Sequence, residues 1–320
     1  MTVSAEPTPA RPARRGRVPD FFIVGHHKSG TTALYEMLRL HPDVYMPEIK
    51  EPRFFASDLR PLLEAPPGML PETFEEYLAL FEPARPDQRV GEASPSYLRS
   101  AAAARAIAEV QPHAKIIAIL REPASFVRSL HLQLMQDHVE KERDLRRAVG
   151  REEIVREGRR VRRYSDHVHY VEQLRRYHAA FPREQVLVLI YDDFRADNAA
   201  TVRQILRFLE VDDSWPVPVR DANPTVSVRS PRMDHAVRRL SAGRRPMWRG
   251  LRRALTAALP DRVRRAASRT LRRRVVYGAP PPADEDFMTE LRRRFKPEVT
   301  ALSEYLQRDL LELWGYDQLD

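Results

Sequence analysis

The chain of 320 residues contains no cysteine, which excludes disulfides and thiolate metal sites. No apolar run approaches the roughly 20 residues of a membrane-spanning helix. The first residues also lack the apolar core of a secretion signal, so a soluble, cytoplasmic protein is expected. No internal repeat is visible. What is in excess is positive charge: 54 Lys and Arg against 45 Asp and Glu, a formal net charge of +9. That balance suits anionic partners, although heavy arginine and alanine usage produces it on its own. The length accommodates one large α/β domain or two small ones.

The informative stretch is 20–32, Asp-Phe-Phe-Ile-Val-Gly-His-His-Lys-Ser-Gly-Thr-Thr. Phe21 to Val24 read as a buried strand of a parallel sheet. Gly25 and Gly30 bracket a tight loop, and Ala33 to Leu38 open a helical pattern. Strand, glycine-bracketed loop and helix together aim backbone N–H groups and a helix N-terminus at an anion. The spacing is that of a nucleotide-triphosphate P-loop with one displacement, because the lysine is Lys28, inside the loop, and Thr31 follows the second glycine. A lysine there reaches the oxygen bridging a 5′-phosphate to a transferred group. A sulfuryl group carries less charge than a phosphoryl group, so one lysine and backbone amides suffice without a metal.

His27-Lys28-Ser29-Gly30-Thr31-Thr32-Ala33-Leu34 resembles the 5′-phosphosulfate loop of sulfotransferases that use 3′-phosphoadenosine 5′-phosphosulfate (PAPS). Leu40-His41-Pro42-Asp43-Val44 and Lys50-Glu51-Pro52-Arg53-Phe54-Phe55 are similar to the Golgi heparan-sulfate branch and its bacterial relatives. The likeness runs, with gaps, from about residue 20 to 210. It implies an α/β, P-loop NTPase-like three-layer fold, a central parallel sheet covered by helices, with PAPS as co-substrate and no metal. The donor's 5′ end falls to Lys28, Ser29, Gly30, Thr31 and Thr32. Lys28 also stabilises the leaving charge. By the family's spacing, Arg121-Glu122-Pro123 through Ser129 implies a 3′-phosphate clamp of Arg121 and Ser129, whereas alone these two would be ordinary surface residues. The implied base is Glu51. A carboxylate beside aromatic rings is desolvated, which raises its pKa, and Lys50 next door opposes that shift. The residues themselves leave the base open between Glu51, Glu92 and the loop histidines His26 and His27, which read more readily as spacers. Glu92 and Arg53 are expected at the acceptor. Ala93 replaces the lysine that heparan-type relatives carry after the corresponding glutamate, so their sugar-carboxylate contacts need not carry over.

Residues 1–17 read as a disordered arm, and 18–320 as a single sulfotransferase domain. A helix from Thr32 stops before His41-Pro42, and a proline-rich irregular segment covers 43–71. Thr73 to Phe81 and 100–110 read as helices, and Arg89 to Glu92 and Lys115 to Leu120 as strands. Pro123 starts a helix, while 137–163 reads as a mobile insertion or exposed helix. A helix over Tyr164 to Phe181, a strand over Val186 to Ile190 and a helix over 197–210 complete the alternation that implies a parallel sheet. Ligands of such sheets bind at the carboxyl ends of the strands, where Lys28, Glu92, Arg121 and Asp192 are expected to converge. Residues 211–235 form a linker, and 235–283 an Arg-rich helical insertion with fourteen arginines between 238 and 274. Its basic face reads chiefly as solvated. Arg272 to Gly278 is a loose candidate for the family's late 3′-phosphate loop. A last helix spans Asp284 to Leu313, broken at Pro297.

The expected reaction is sulfuryl transfer from PAPS to a hydroxyl of a saccharide or hydroxylated small molecule. A Mg²⁺-dependent kinase is the rival enzyme, since Val186 to Asp193 looks like a Walker-B strand, but the lysine that should follow Gly30 is missing. A non-catalytic basic module that binds nucleic acid or membrane is the other rival. No nucleic-acid partner is expected, and oligomeric state is not readable.

Overall fold

The computed structural model describes residues 17–62, 68–137, 139–151, 154–156, 159–162, 164–216, 218, 227–228, 277–278 and 280–319. The chain divides into two compact units, Met1–Arg121 with Tyr170–Ala222, and Glu122–His169 with Asn223–Asp320. The expected arm lies outside the described residues up to position 16. The Arg-rich stretch 238–274 lies wholly outside them, as does most of the late-loop candidate.

The first unit is built on a five-stranded sheet. Its strands β1 (Phe21–Gly25), β2 (Val44–Tyr45), β3 (Arg89–Ala93) and β4 (Lys115–Leu120) are joined by Val186–Ile190 in the order β2, β3, β1, β4, Val186–Ile190. Every pairing is parallel, with Phe21 opposite Gly91 on one side and Lys115 on the other. β1 is buried at all five positions, as an all-apolar strand covered by helices on both faces must be. Helix α1 (Thr31–Leu38) turns Ala33, Leu34, Met37 and Leu38 inward. There they meet Ile23, Ile117, Ile119, Leu189 and the buried face of helix Asn198–Leu209. Asp197 caps that last helix by accepting from the Ala200 N–H. Helix α2 (Phe74–Ala79) is shorter than its apolar pattern predicted. Thr73 and Glu76 close a reciprocal capping box at its start, which satisfies N–H groups that no helical turn can reach.

In the second unit, Pro123 opens helix Pro123–Gln136, as expected. The Glu122 carboxylate accepts from the Ala124 and Ser125 N–H groups. Two expectations need correction here. The described residues between 137 and 163 do not form the one exposed helix that was among the two expectations. They hold the helix Leu145–Gly150 and an antiparallel pair, Ile154–Arg156 with Arg159–Arg162. Gly150 and Gly158 are poor helix formers, and the β-branched Ile154, Val155 and Val161 favour strand. Pro297 does not break the last long helix, which runs from Glu285 to Leu306 and ends at Gln307 in a left-handed conformation. Proline in a helix interior costs about 3 kcal/mol. Phe287, Leu291, Phe295, Val299 and Leu302 are buried on both sides of it, and that packing outweighs the lost hydrogen bond.

Candidate active site

The loop after β1 lies at the carboxyl end of the sheet. Gly25 is there because a Cβ would stand 2.9 Å from the Ile119 carbonyl oxygen of the neighbouring strand. Gly30 ends the loop with φ 85°, and a Cβ there would meet the Phe194 ring at 2.8 Å. The backbone therefore turns left-handed against an aromatic wall, where a side chain is both strained and obstructed. Gly30 is also the N-cap of α1, and its carbonyl accepts from the Leu34 N–H. Ser29 is fully buried, and its Oγ has no hydrogen-bond partner among the described residues. Thr31 is buried and Thr32 exposed at the start of α1. A buried hydroxyl without a partner, next to the N–H groups of a helix start, suits an anionic oxygen.

Lys28 also has a left-handed backbone, at φ 66°. Arg121, directly after β4, donates from its guanidinium to the Lys28 carbonyl at 2.8 Å. The same guanidinium lies 4.9 Å from the Tyr191 ring centroid, and the Tyr170 hydroxyl donates to the Arg121 carbonyl at 2.9 Å. Lys28 and Arg121, 93 positions apart in sequence, thus meet as the strand ends predicted. Asp192 follows the strand Val186–Ile190, in the first turn of the short helix Tyr191–Ala196. Ser129 belongs to the second unit, where its hydroxyl is buried and lacks a partner among the described residues.

Glu51 joins the loop from the segment after β2. Its Oε1 accepts from Lys50 Nζ at 2.8 Å and its Oε2 from the Arg53 guanidinium at 2.5 Å, while the His27 ring stands 3.8 Å away. Burial pushes this carboxyl upward, but the positive charges of His27, Lys50 and Arg53 outweigh it and hold the group far below the usual carboxylate range. The expected upward shift is thereby reversed. The sequence offered Lys50 as an opposing charge; His27, taken for a spacer, and Arg53 add to it. His26 turns away from Glu51 into the interior. Its ring is buried against Tyr170, donates to the Gln173 side-chain oxygen at 3.0 Å, and is driven by burial to a pKa of about 3.

Glu92 lies inside the protein. It is the penultimate residue of β3 and fully buried. Its carboxylate receives hydroxyls from Tyr77 at 2.6 Å, Ser94 at 2.6 Å and Tyr97 at 3.2 Å. Burial raises its pKa to about 7, against the pull of those three hydrogen bonds. A carboxyl with no exposed surface is closed off from a sugar, so its expected contact with the acceptor is withdrawn. Sequence reasoning missed Tyr191 and Phe194 altogether. The only signal for them is their place directly after an apolar strand.

A parallel sheet, a glycine-bracketed loop leading into a helix and an arginine tied to that loop define the class of P-loop-like α/β proteins. Within that class, a family model described as "Sulfotransferase family" matches residues 19–216, well over half of the chain, so the chain belongs to the sulfotransferase family. The mouse heparan sulfate glucosamine 3-O-sulfotransferase 6 is 35% identical over 119 residues, covering 37% of this chain and 31% of that protein. Human carbohydrate sulfotransferase 15 is 39% identical over 66 residues, 20% of this chain and 12% of the relative. The chain therefore spans about a third or less of the length of these curated relatives. The crystal structure of a sulfotransferase from Alicyclobacillus acidocaldarius is similar over 93% of this chain and 99% of that one, with a TM-score of 0.65 and 26% identity. The expected fold, a parallel central sheet flanked by helices, is the observed one. Among the described residues no helix is long and apolar enough to cross a membrane.

Proposed function

We propose that this chain transfers the sulfuryl group of PAPS to a hydroxyl, releasing adenosine 3′,5′-bisphosphate, with a saccharide as the favoured acceptor class. The observation that carries the reading is the bond from Arg121 to the Lys28 carbonyl. It ties the arginine assigned to the 3′-phosphate to the loop assigned to the 5′-phosphosulfate. PAPS supplies a sulfuryl group on a good leaving group. The chain supplies the cradle, in which the buried Ser29 hydroxyl and the N–H groups opening α1 face the 5′ end, while Arg121 is the residue assigned to the 3′-phosphate. Lys28 neutralises charge developing on the departing phosphate oxygen, the kind of stabilisation that is usually the largest catalytic contribution.

Glu51 takes the acceptor proton. Ion-paired as it is, its carboxylate is a weak base, and it gains strength only when Lys50 and Arg53 turn to other partners. Arg53, beside it, is the residue assigned to the acceptor. The likeness of the 50–55 segment to heparan-type enzymes supports a sugar hydroxyl, though a fold does not fix a substrate. A single sulfotransferase domain over 18–320 and a cytoplasmic location remain parts of this proposal.

Calorimetric titration with adenosine 3′,5′-bisphosphate, against ATP with Mg²⁺, tests it on wild type and Arg121→Ala. Metal-independent binding of the bisphosphate that disappears in the variant is expected. Preference for Mg²⁺-ATP would replace the reading with a kinase, which Thr31 in the lysine position argues against. Binding of neither would end both readings.

A further inference from the structure

The buried Glu92 carboxylate is the meeting point of three side chains, and each of them also grips the segment that carries Glu51. Ser94 donates its hydroxyl proton to Glu92, and its oxygen accepts the Arg53 N–H at 3.0 Å. The Tyr97 hydroxyl faces Glu92 in the same way, and its oxygen accepts the Phe55 N–H at 3.2 Å. Tyr77 donates to Glu92 while its ring stacks on Phe54, at 4.8 Å and 19°, and meets Phe55 edge-on at 5.2 Å. The Glu51 N–H itself donates to the carbonyl of Ala93, the neighbour of Glu92. The held segment is strained: Glu51 and Arg53 both have left-handed backbones, at φ 63° and 56°. Such conformations are strained and persist only where the surroundings impose them.

A hydroxyl has one proton and two lone pairs. When that proton is drawn to a carboxylate, the oxygen is left to accept, and a backbone N–H is what it then receives. An acceptor-only group at position 92 therefore sets the polarity of the whole arrangement. We propose that Glu92 is a positioning residue, which fixes the strained 50–55 segment through Ser94, Tyr97 and Tyr77 and so holds Glu51 where it takes the acceptor proton. This rests on the sulfotransferase reading and on Glu51 as its base.

Glu92→Gln keeps the shape but replaces one acceptor oxygen with an N–H₂ donor, so at least one hydroxyl must turn its proton away. PAP release from PAPS is followed at pH 8 with 4-nitrophenyl β-D-glucoside present, so that transfer to sugar or to water both count. The variants are Glu92→Gln, Glu51→Gln and the double variant, with Tyr97→Phe as a milder removal of one arm. We expect Glu92→Gln to lower turnover about tenfold and Tyr97→Phe a few fold, with bisphosphate affinity within about twofold of wild type. Backbone amides of 51–55 should exchange faster with deuterium, and those of the 25–31 loop should not. In the Glu51→Gln background, Glu92→Gln should cost less than about twofold, because residues acting through one another are not additive. An equal loss in both backgrounds, or turnover within twofold of wild type, overturns the positioning role. If wild type fails to bind the bisphosphate, the donor reading falls. If Glu51→Gln turns over like wild type, the base assignment falls. Either result takes this proposal with it while remaining distinct from a failure of Glu92 alone.

Discussion

The pKa of Glu92 has a consequence for stability that is independent of catalysis. Burial raises the folded-state value from 4.5 to about 7, so the unfolded chain gives up this proton more readily than the folded one. The sign follows from linkage. The contribution is whole below pH 4.5, where both states are protonated, and is lost progressively as pH rises to about 7. At 1.36 kcal/mol per pKa unit, the loss is roughly 3 kcal/mol. Glu51 works in the opposite sense, since its depressed carboxyl stabilises above its unfolded pKa and loses that stabilisation on acidification. A wild-type profile therefore mixes the two. The clean quantity is the difference between wild type and Glu92→Gln, whose amide has no proton to exchange. Urea unfolding of both proteins at half-unit steps from pH 4.5 to 8 should show wild type losing roughly 3 kcal/mol relative to the variant by pH 7.5. A flat difference, or one that grows in favour of wild type as pH rises, would refute the assignment of a buried, reluctantly ionised carboxyl to position 92.

Two further outcomes concern the loop. Lys28→Ala should lower turnover on the order of 10²-fold or more while leaving the unfolding midpoint nearly unchanged; steady-state rates within tenfold of wild type would remove Lys28 from catalysis. Gly30→Ala places a Cβ 2.8 Å from the Phe194 ring on a backbone at φ 85°. It should cost about 1–3 kcal/mol in urea unfolding and weaken bisphosphate binding at least tenfold by calorimetry.

The strand-loop-helix around Lys28 was legible because its signals are local: an apolar run, two glycines five positions apart and a helical stripe. Four of the five strands were legible as well, three of them as short apolar runs, whereas the two residues of β2 lie in the stretch read as irregular. The surroundings of the carboxylates were not. Glu92 is surrounded by hydroxyls from positions 77, 94 and 97, and only the folded sheet shows that Tyr77, on a different element, points at it. Glu51 looked like a desolvated base because Phe54 and Phe55 are its sequence neighbours. Its potential is set by Arg53, which folds back on it, and by His27 from another loop. Pro297 misled for a related reason. A local helix-breaking signal was read without the buried apolar face that overrides it.

The parallel sheet also dictates the order of events as the chain folds. β1 is among the first segments of the chain, yet Phe21 pairs with Gly91 and Lys115, about 70 and about 95 residues later, and such distant pairings form slowly. The loop after β1 packs beside the Ile119 carbonyl at Gly25 and the Phe194 ring at Gly30. Those neighbours join it only when the chain extends past residue 194. An early strand thus waits for late partners, and a fragment ending before residue 194 has the loop's residues without the Phe194 ring beside them.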